Sequence, residues 1–63
     1  MAREELLAVE RAFGQLAPEK QEVIVRNRLI GMSHAEIAKD RGKTEGAVRS
    51  MLSRALAELA SGL

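Results

Sequence analysis

Side chains that donate hydrogen bonds to anions are concentrated between residues 39 and 54. Arg presents a planar fork of donors that matches a phosphate or the edge of guanine, and Ser and Thr hydroxyls suit phosphate or base contacts. The group comprises Lys39, Arg41, Lys43, Thr44, Arg49, Ser50, Ser53 and Arg54. These residue types in one stretch are typical of polyanion binding, although charge alone would favour an ordinary solvated helical surface.

The formal charge is divided unevenly along the chain. Residues 1–25 hold three Lys or Arg against five Asp or Glu, a net charge of −2. Residues 26–54 hold seven against three, a net charge of +4. Glu58 adds −1, so the total of +1 conceals a basic stretch over residues 26–54, which is compatible with a surface that faces a polyanion.

Most catalytic and metal sites need residues that this sequence lacks. Its 63 residues contain no cysteine and one histidine, His34, which excludes disulfides, thiolate sites and histidine clusters. No Ser/Asp pair or metal set accompanies His34, so we predict no enzyme, cofactor, metal site or small-molecule substrate. No apolar run approaches the roughly 20 residues of a membrane span, and the N-terminus does not resemble a signal peptide. A cytoplasmic protein is expected.

Helices must position these donors, because the apolar residues are mainly Leu, Ala, Val, Ile and Met, and Phe13 is the only aromatic residue. The pattern predicts one compact all-α domain over residues 1–63, with helices at about 4–16, 18–30, 33–41 and 44–60. The apolar face of the first helix is expected to comprise Leu6, Val9, Phe13 and Leu16. The second helix begins at Pro18, carries Val23, Ile24, Val25, Leu29 and Ile30, and ends at Gly31.

The third helix has the clearest beginning in the sequence. Ser33 and Glu36 have the spacing of a capping box, in which each side chain bonds the other residue's backbone N–H. Met32 and Ile37 are placed for the hydrophobic contact that often accompanies such a box. Gly42 suits the left-handed end of this short helix.

A helix-turn-helix is predicted from the spacing around Gly42. Only Lys43 separates Gly42 from Thr44, which suits the N-cap of the fourth helix. Ala38 is small where the two helices should meet, and Val48 is placed to fix the fourth helix on the third. The apolar face of the fourth helix is predicted to comprise Val48, Leu52, Ala55 and Leu59.

The fourth helix is predicted to read DNA in the major groove. Thr44, Gly46 and Ala47 are small at its beginning, where backbone N–H groups can approach a phosphate. That approach would offset the cost of Gly46, roughly 1 kcal/mol relative to Ala. The side opposite the apolar face carries Arg49, Ser50, Ser53 and Arg54. We expect the nearby cations Lys39, Arg41 and Lys43 to lie beside passing phosphates.

These residues resemble region 4 of bacterial RNA polymerase sigma factors, in particular the extracytoplasmic-function group of the sigma-70 family. The resemblance covers roughly residues 10–59. It is carried by Gly31-Met32-Ser33-His34-Ala35-Glu36-Ile37-Ala38, by Gly42-Lys43-Thr44-Glu45-Gly46-Ala47-Val48-Arg49-Ser50 and by Leu52-Ser53-Arg54-Ala55. The earlier run Leu16-Ala17-Pro18-Glu19-Lys20-Gln21-Glu22-Val23 is similar to the start of the same region.

The resemblance implies a role in transcription initiation. Region 4 recognises the −35 promoter element through its last helix, contacts the flap of the polymerase β subunit and is a frequent target of anti-sigma factors. It implies that Arg49, Ser50, Ser53 and Arg54 face DNA, and that Thr44, Glu45 and Gly46 lie near the phosphates. Nothing here resembles region 2, so the chain is interpreted as a domain of a longer factor.

The sequence departs from the family pattern at several positions. Met51 and Leu56 stand where many members carry Arg or Lys, which predicts weak DNA binding by the isolated domain. Arg26 and Arg28 replace positions that are often apolar or aromatic. Arg41 stands where a Leu often packs, so we expect its aliphatic stem to cover that gap.

Two alternatives remain at this stage. The modest net charge and the apolar Met51 and Leu56 are compatible with a protein-interaction module whose partner is an anti-sigma factor or the polymerase flap. The second alternative is a helix-turn-helix of the response-regulator type, which would act as a dimer.

Overall fold

The computed structural model describes residues 2–62 and contains four successive helical elements. They are α1 (Arg3–Gly14), α2 (Pro18–Ile24, continued by a π-helical segment, Val25–Ile30), α3 (His34–Arg41) and α4 (Glu45–Ser61). The predicted all-α fold with a helix-turn-helix is confirmed. The ends of the predicted helices differ from those observed by two residues or fewer.

The helix ends follow from local chemistry. Pro18 occupies the first turn of α2, where its missing N–H costs nothing. Glu36 N donates to Ser33 Oγ at 3.1 Å and Ser33 N donates to Glu36 Oε1 at 3.0 Å, which confirms the capping box. Thr44 Oγ1 accepts from Ala47 N at 3.1 Å and caps α4, as predicted. Gly42, with φ of 65°, takes the left-handed conformation that ends α3.

The second helix changes its hydrogen-bonding pattern partway along. After Ile24 it widens into the π segment and ends at Gly31, which has φ of 89°. Asn27 Nδ2 donates to the Met32 carbonyl at 2.9 Å, and Met32 N donates to the Arg26 carbonyl at the same distance. A wider helical turn rotates later residues relative to an α-helix. Leu29 and Ile30 are consequently 79% and 66% exposed, whereas the sequence placed them with Val23 and Ile24 among the apolar residues of this helix.

The core lies around α4, which packs against both α2 and α3. Its buried residues are Leu16, Val23, Ile24, Ile37, Ala38, Val48, Leu52 and Ala55. The side chains of Phe13, Met32, Met51 and Leu56 pack against this core and are partly buried. Every helix except α1 contributes buried residues from its own span, and α2 and α3 together enclose the first half of α4.

Helix α1 covers the core only near its C-terminal end. Leu16 is buried, and Val9 and Phe13 are half-buried. Leu6, the first residue of the predicted apolar face, is 47% exposed. The reason is that α1 meets the far end of α4, where Ala12 lies beside Gly62, and the first turns of α1 extend past that contact. Among residues 2–62, no helix is long and apolar enough to cross a bilayer.

Candidate nucleic-acid interface

The turn between α3 and α4 has a closed backbone geometry. Lys43 N donates to the Ala38 carbonyl at 2.9 Å, across the left-handed Gly42. Ala38 and Val48 are both buried where the two helices meet. The small residue, the glycine and the β-branched residue therefore do what their spacing predicted, and they fix how α4 projects from α3.

One side of α4 is buried and the other is open to solvent. Val48, Leu52 and Ala55 form the buried side. The residues proposed from the sequence for DNA contact are exposed on the remaining surface: Thr44, Glu45, Gly46, Ala47, Arg49, Ser50, Ser53 and Arg54. Because the buried side anchors the helix, the open side is presented in a defined orientation.

Gly46 is not required by packing. A Cβ built at this position meets no atom within 4 Å, and its backbone is in the helical conformation. The lack of a side chain therefore leaves open space at the first turn of α4, where backbone N–H groups are unpaired. Such a space allows a phosphate to approach the helix N-terminus.

A groove runs between the beginning of α2 and the exposed side of α4. Its lining residues are Ala17, Glu19, Lys20, Ala47, Ser50, Met51 and Arg54. The α2 members of this set were missed from the sequence. No local signal marks them, because only the crossing of α2 over α4 brings them to the same surface. Lys20 Nζ lies 2.5 Å from Glu58 Oε1 and links the two helices.

The structure directs Arg41 and Lys43 toward α2. Arg41 Nη1 lies 2.5 Å from Glu22 Oε2, and Arg41 Nη2 lies 3.7 Å from Glu19 Oε1. Lys43 Nζ lies 2.8 Å from Glu19 Oε1. The sequence suggested instead that both cations lie beside phosphates. The Arg41 side chain is only 24% exposed, so its stem does fill space between helices while its head is paired.

Arg26 extends this network to α3. It bonds Glu22 through Nη2 at 2.7 Å and Nε at 3.1 Å, and it also pairs with Asp40. We call the six residues Glu19, Glu22, Arg26, Asp40, Arg41 and Lys43 the charge cluster; its formal net charge is zero. Much of the positive charge of the second half of the chain is therefore neutralised by carboxylates of the first half.

The ion pairs hold the carboxylates of the charge cluster in their ionised form. The hydrogen bond from Lys43 lowers the pKa of Glu19. Hydrogen bonds from Arg41 and then Arg26 lower the pKa of Glu22. Favourable contact with an opposite charge outweighs partial burial in both cases.

The cations of α4 differ in how they are held. Arg49 Nη2 lies 3.0 Å from Glu45 Oε1, one turn earlier on the same helix, and both side chains are mostly exposed. Exposed pairs of this kind contribute little and open readily. Arg54 is exposed and forms no ion pair with a carboxylate of residues 2–62, and the same holds for Lys39 on α3.

An exposed face of donors on the second helix of a helix-turn-helix defines a DNA-binding domain. The family model described as sigma-70, region 4 matches residues 6–59, most of the chain. The chain belongs to this family, a DNA-binding region of sigma factors, which act in transcription initiation. No curated protein and no solved structure was found to match it.

Met51 and Leu56 have a different role from the one that the interaction-module alternative assumed. Both side chains are partly buried and pack against the core. They therefore replace possible DNA-contacting cations with packing contacts, and they do not form an exposed apolar patch. Of the two observations behind that alternative, the apolar Met51 and Leu56 no longer support it, and the modest net charge is left.

Proposed function

We propose that this domain recognises the −35 element of promoters by placing α4 in the major groove, as part of RNA polymerase holoenzyme. The observation that carries the proposal is the open side of α4, on which Ser50, Ser53 and Arg54 are exposed opposite a buried anchor. The major groove admits one α-helix and displays a donor and acceptor pattern that is distinct for each base pair. Family membership supports the same role.

The proposal assigns different contacts to different residues. Arg54 is the candidate base reader, with Ser50 and Ser53 in supporting base or phosphate contacts. Thr44, Glu45, Gly46 and Ala47 bring the N-terminus of α4 to a phosphate. Arg49 also contacts DNA once its side chain leaves Glu45. Lys39 contacts the phosphate backbone of the DNA from α3. Arg41 and Lys43 take part only after release from the charge cluster.

A second surface supports binding to a protein partner in the holoenzyme. Val9 and Phe13 of α1, Leu29 of the π segment and Leu59 of α4 are apolar side chains that line one groove. Leu29 is largely exposed there. We treat residues 1–63 as one domain. We assign this apolar surface to contact with the polymerase, consistent with the flap contact implied by the family resemblance. An anti-sigma factor and membership of the extracytoplasmic-function group stay predictions.

The promoter proposal is tested by titrating duplexes with the domain across a salt series. Fluorescence anisotropy with a −35-type duplex and a scrambled duplex of equal length gives both affinities. We expect tighter binding to the promoter duplex and a log–log salt slope of about −0.9 for each phosphate neutralised. Equal affinities, also when the domain is measured within holoenzyme, would contradict promoter recognition.

A further inference from the structure

We propose that Glu19 holds Lys43, a residue of the turn of the helix-turn-helix, against α2. Glu19 must release Lys43 before Lys43 can neutralise a phosphate, and we call this restraint the lock. The proposal rests on DNA binding by the α4 face. It adds a residue outside that face that sets the affinity for the DNA backbone.

The position of Lys43 allows such a release. Its backbone is fixed between the last turn of α3 and the Thr44 cap, with its N–H on the Ala38 carbonyl. Its side chain is 35% exposed and contacts Glu19 Oε1 at 2.8 Å. A lysine ammonium is a point charge on a flexible four-carbon stem, so it can change partners while the backbone stays in place.

The position of Glu19 makes the pair relevant to DNA. Glu19 also lines the groove that contains Ser50 and Arg54. A phosphate approaching these residues therefore meets a carboxylate of its own sign. Glu19 opposes DNA in two ways, because it occupies the turn lysine and adds negative charge beside the proposed reading helix. Its lowered pKa keeps it ionised at neutral pH.

Glu22 provides a contrast within the same charge cluster. It is held by two arginines, with contacts of 2.5 Å to Arg41 and 2.7 Å to Arg26. Forked guanidinium contacts fix geometry more firmly than a single ammonium contact. Glu22 therefore joins the helices together, whereas Glu19 holds the one cation of the turn that can leave.

The lock predicts a measurable change in the salt dependence of binding. In the parent chain, a phosphate must replace Glu19 on Lys43, and the freed carboxylate recovers a counterion. Glu19→Gln removes that exchange and should steepen the log–log slope by up to about 0.9. The affinity gain over the parent should then be about 3.5-fold larger at roughly 0.05 M salt than at roughly 0.2 M salt.

Anisotropy titrations of four chains test this: the parent, Glu19→Gln, Lys43→Gln and the double variant. We expect Glu19→Gln to bind promoter and scrambled duplexes more tightly by the same factor, since the gain is to the backbone. In the Lys43→Gln background the change in slope should be lost and the gain should be much smaller, because only the negative charge of Glu19 beside α4 then opposes DNA. Glu10→Gln, on α1, is the matched control for the change in net charge and should give a much smaller gain.

The outcomes separate the two proposals. No gain beyond that of Glu10→Gln, a loss of affinity, or a gain and a slope change that are undiminished without Lys43 would each overturn the lock. Equal binding of both duplexes by the parent, also within holoenzyme, would overturn promoter recognition while leaving the slope comparison readable. Absence of any DNA binding by the parent, also within holoenzyme, would overturn both. Circular dichroism at the assay temperature confirms that each variant is folded, and Lys43→Gln remains informative if Glu19→Gln unfolds.

Discussion

Arg54 shows why single residues of the proposed interface should differ in their contribution to DNA binding. It is exposed beside Ser50 in the groove and pairs with no carboxylate of the described chain. Arg49, on the same helix, must first leave Glu45. A cation without a competing partner can give its full contact energy to DNA, so Arg54 is the residue on which specificity should depend most.

Arg54→Ala is expected to weaken binding to the promoter duplex by about 1–3 kcal/mol and to reduce discrimination against a scrambled duplex. The loss reflects the missing fork of donors at a base edge. Competition titrations with both duplexes measure it, and Arg28→Ala, an exposed arginine of the π segment, serves as the control. A loss of equal size on both duplexes would make Arg54 a phosphate contact instead.

The Ser33 side chain caps the N-terminus of α3. Its hydroxyl accepts from Glu36 N at 3.1 Å, and the Ser33 N–H donates to the Glu36 carboxylate. The bond from the Ser33 N–H lowers the pKa of Glu36. Ser33→Ala should cost about 1 kcal/mol of unfolding free energy. Thermal unfolding checks this, with Ser53→Ala on the open side of α4 as the matched control. An unchanged Tm for Ser33→Ala would show that the cap contributes nothing.

At the scale of elements, two glycines near the turn have opposite consequences. Gly42 has φ of 65°, whereas Gly46 is in the helical conformation of α4, and a Cβ at either position meets no atom within 4 Å. Only the backbone distinguishes them. Alanine is strained at the first position and favoured at the second.

Gly42→Ala should lower the unfolding free energy by about 1–2 kcal/mol, because it forces a Cβ into the left-handed region. Gly46→Ala should raise it by up to about 1 kcal/mol through helix propensity. If α4 approaches a phosphate closely, Gly46→Ala should nevertheless bind DNA more weakly. Urea unfolding and duplex titration measure both quantities, and unchanged DNA affinity in Gly46→Ala would contradict close approach at this position.

The π segment shows an element whose type was not predictable from its residues. Val25–Ile30 contains helix-forming apolar residues that continue the pattern of α2, and a plain α-helix was expected. This segment is bonded to the following loop, through the Asn27 side chain on the Met32 carbonyl. Periodicity does not report such contacts, so the exposure of Leu29 and Ile30 was missed.

At the scale of the whole molecule, the charge cluster joins the acidic first half of the chain to the basic second half. Glu19 and Glu22 lie on α2, while Arg41 and Lys43 come from α3 and the turn. The cluster connects the helix-turn-helix to the remaining domain at its surface. Its contribution to stability should depend on pH.

The pKa values of Glu19 and Glu22 are lowered from the ordinary value of 4.5 in the folded chain. Their stabilisation is therefore complete above that value, where both states are ionised, and is lost as the pH falls through the lower folded pKa. We expect the Tm to fall as the pH is lowered below about 4.5. Glu22→Gln should have a lower Tm at pH 7 and a shallower acid dependence, measured by circular dichroism.

A pH profile of Glu22→Gln parallel to that of the parent would show that Glu22 is not responsible for the acid loss. Glu10→Gln is again the control, because Glu10 forms no ion pair within residues 2–62. Its profile should follow that of the parent.

The sequence by itself determined the features that depend on neighbours within a few residues. Ser33 with Glu36, Gly42 and Thr44 set the ends of α3 and α4, and Ala38 and Val48 set their contact. Such contacts are local or strongly periodic, so residue type and spacing were sufficient to predict the helix-turn-helix and the exposed side of α4.

Only the tertiary structure decided which cations pair with carboxylates of another helix. Arg41 and Lys43 follow the pattern of phosphate-binding residues, yet α2 crosses close enough for Glu19 and Glu22 to pair with them. Ion pairs and partial burial between distant segments depend on how helices cross, and a one-dimensional pattern of charges does not contain that geometry.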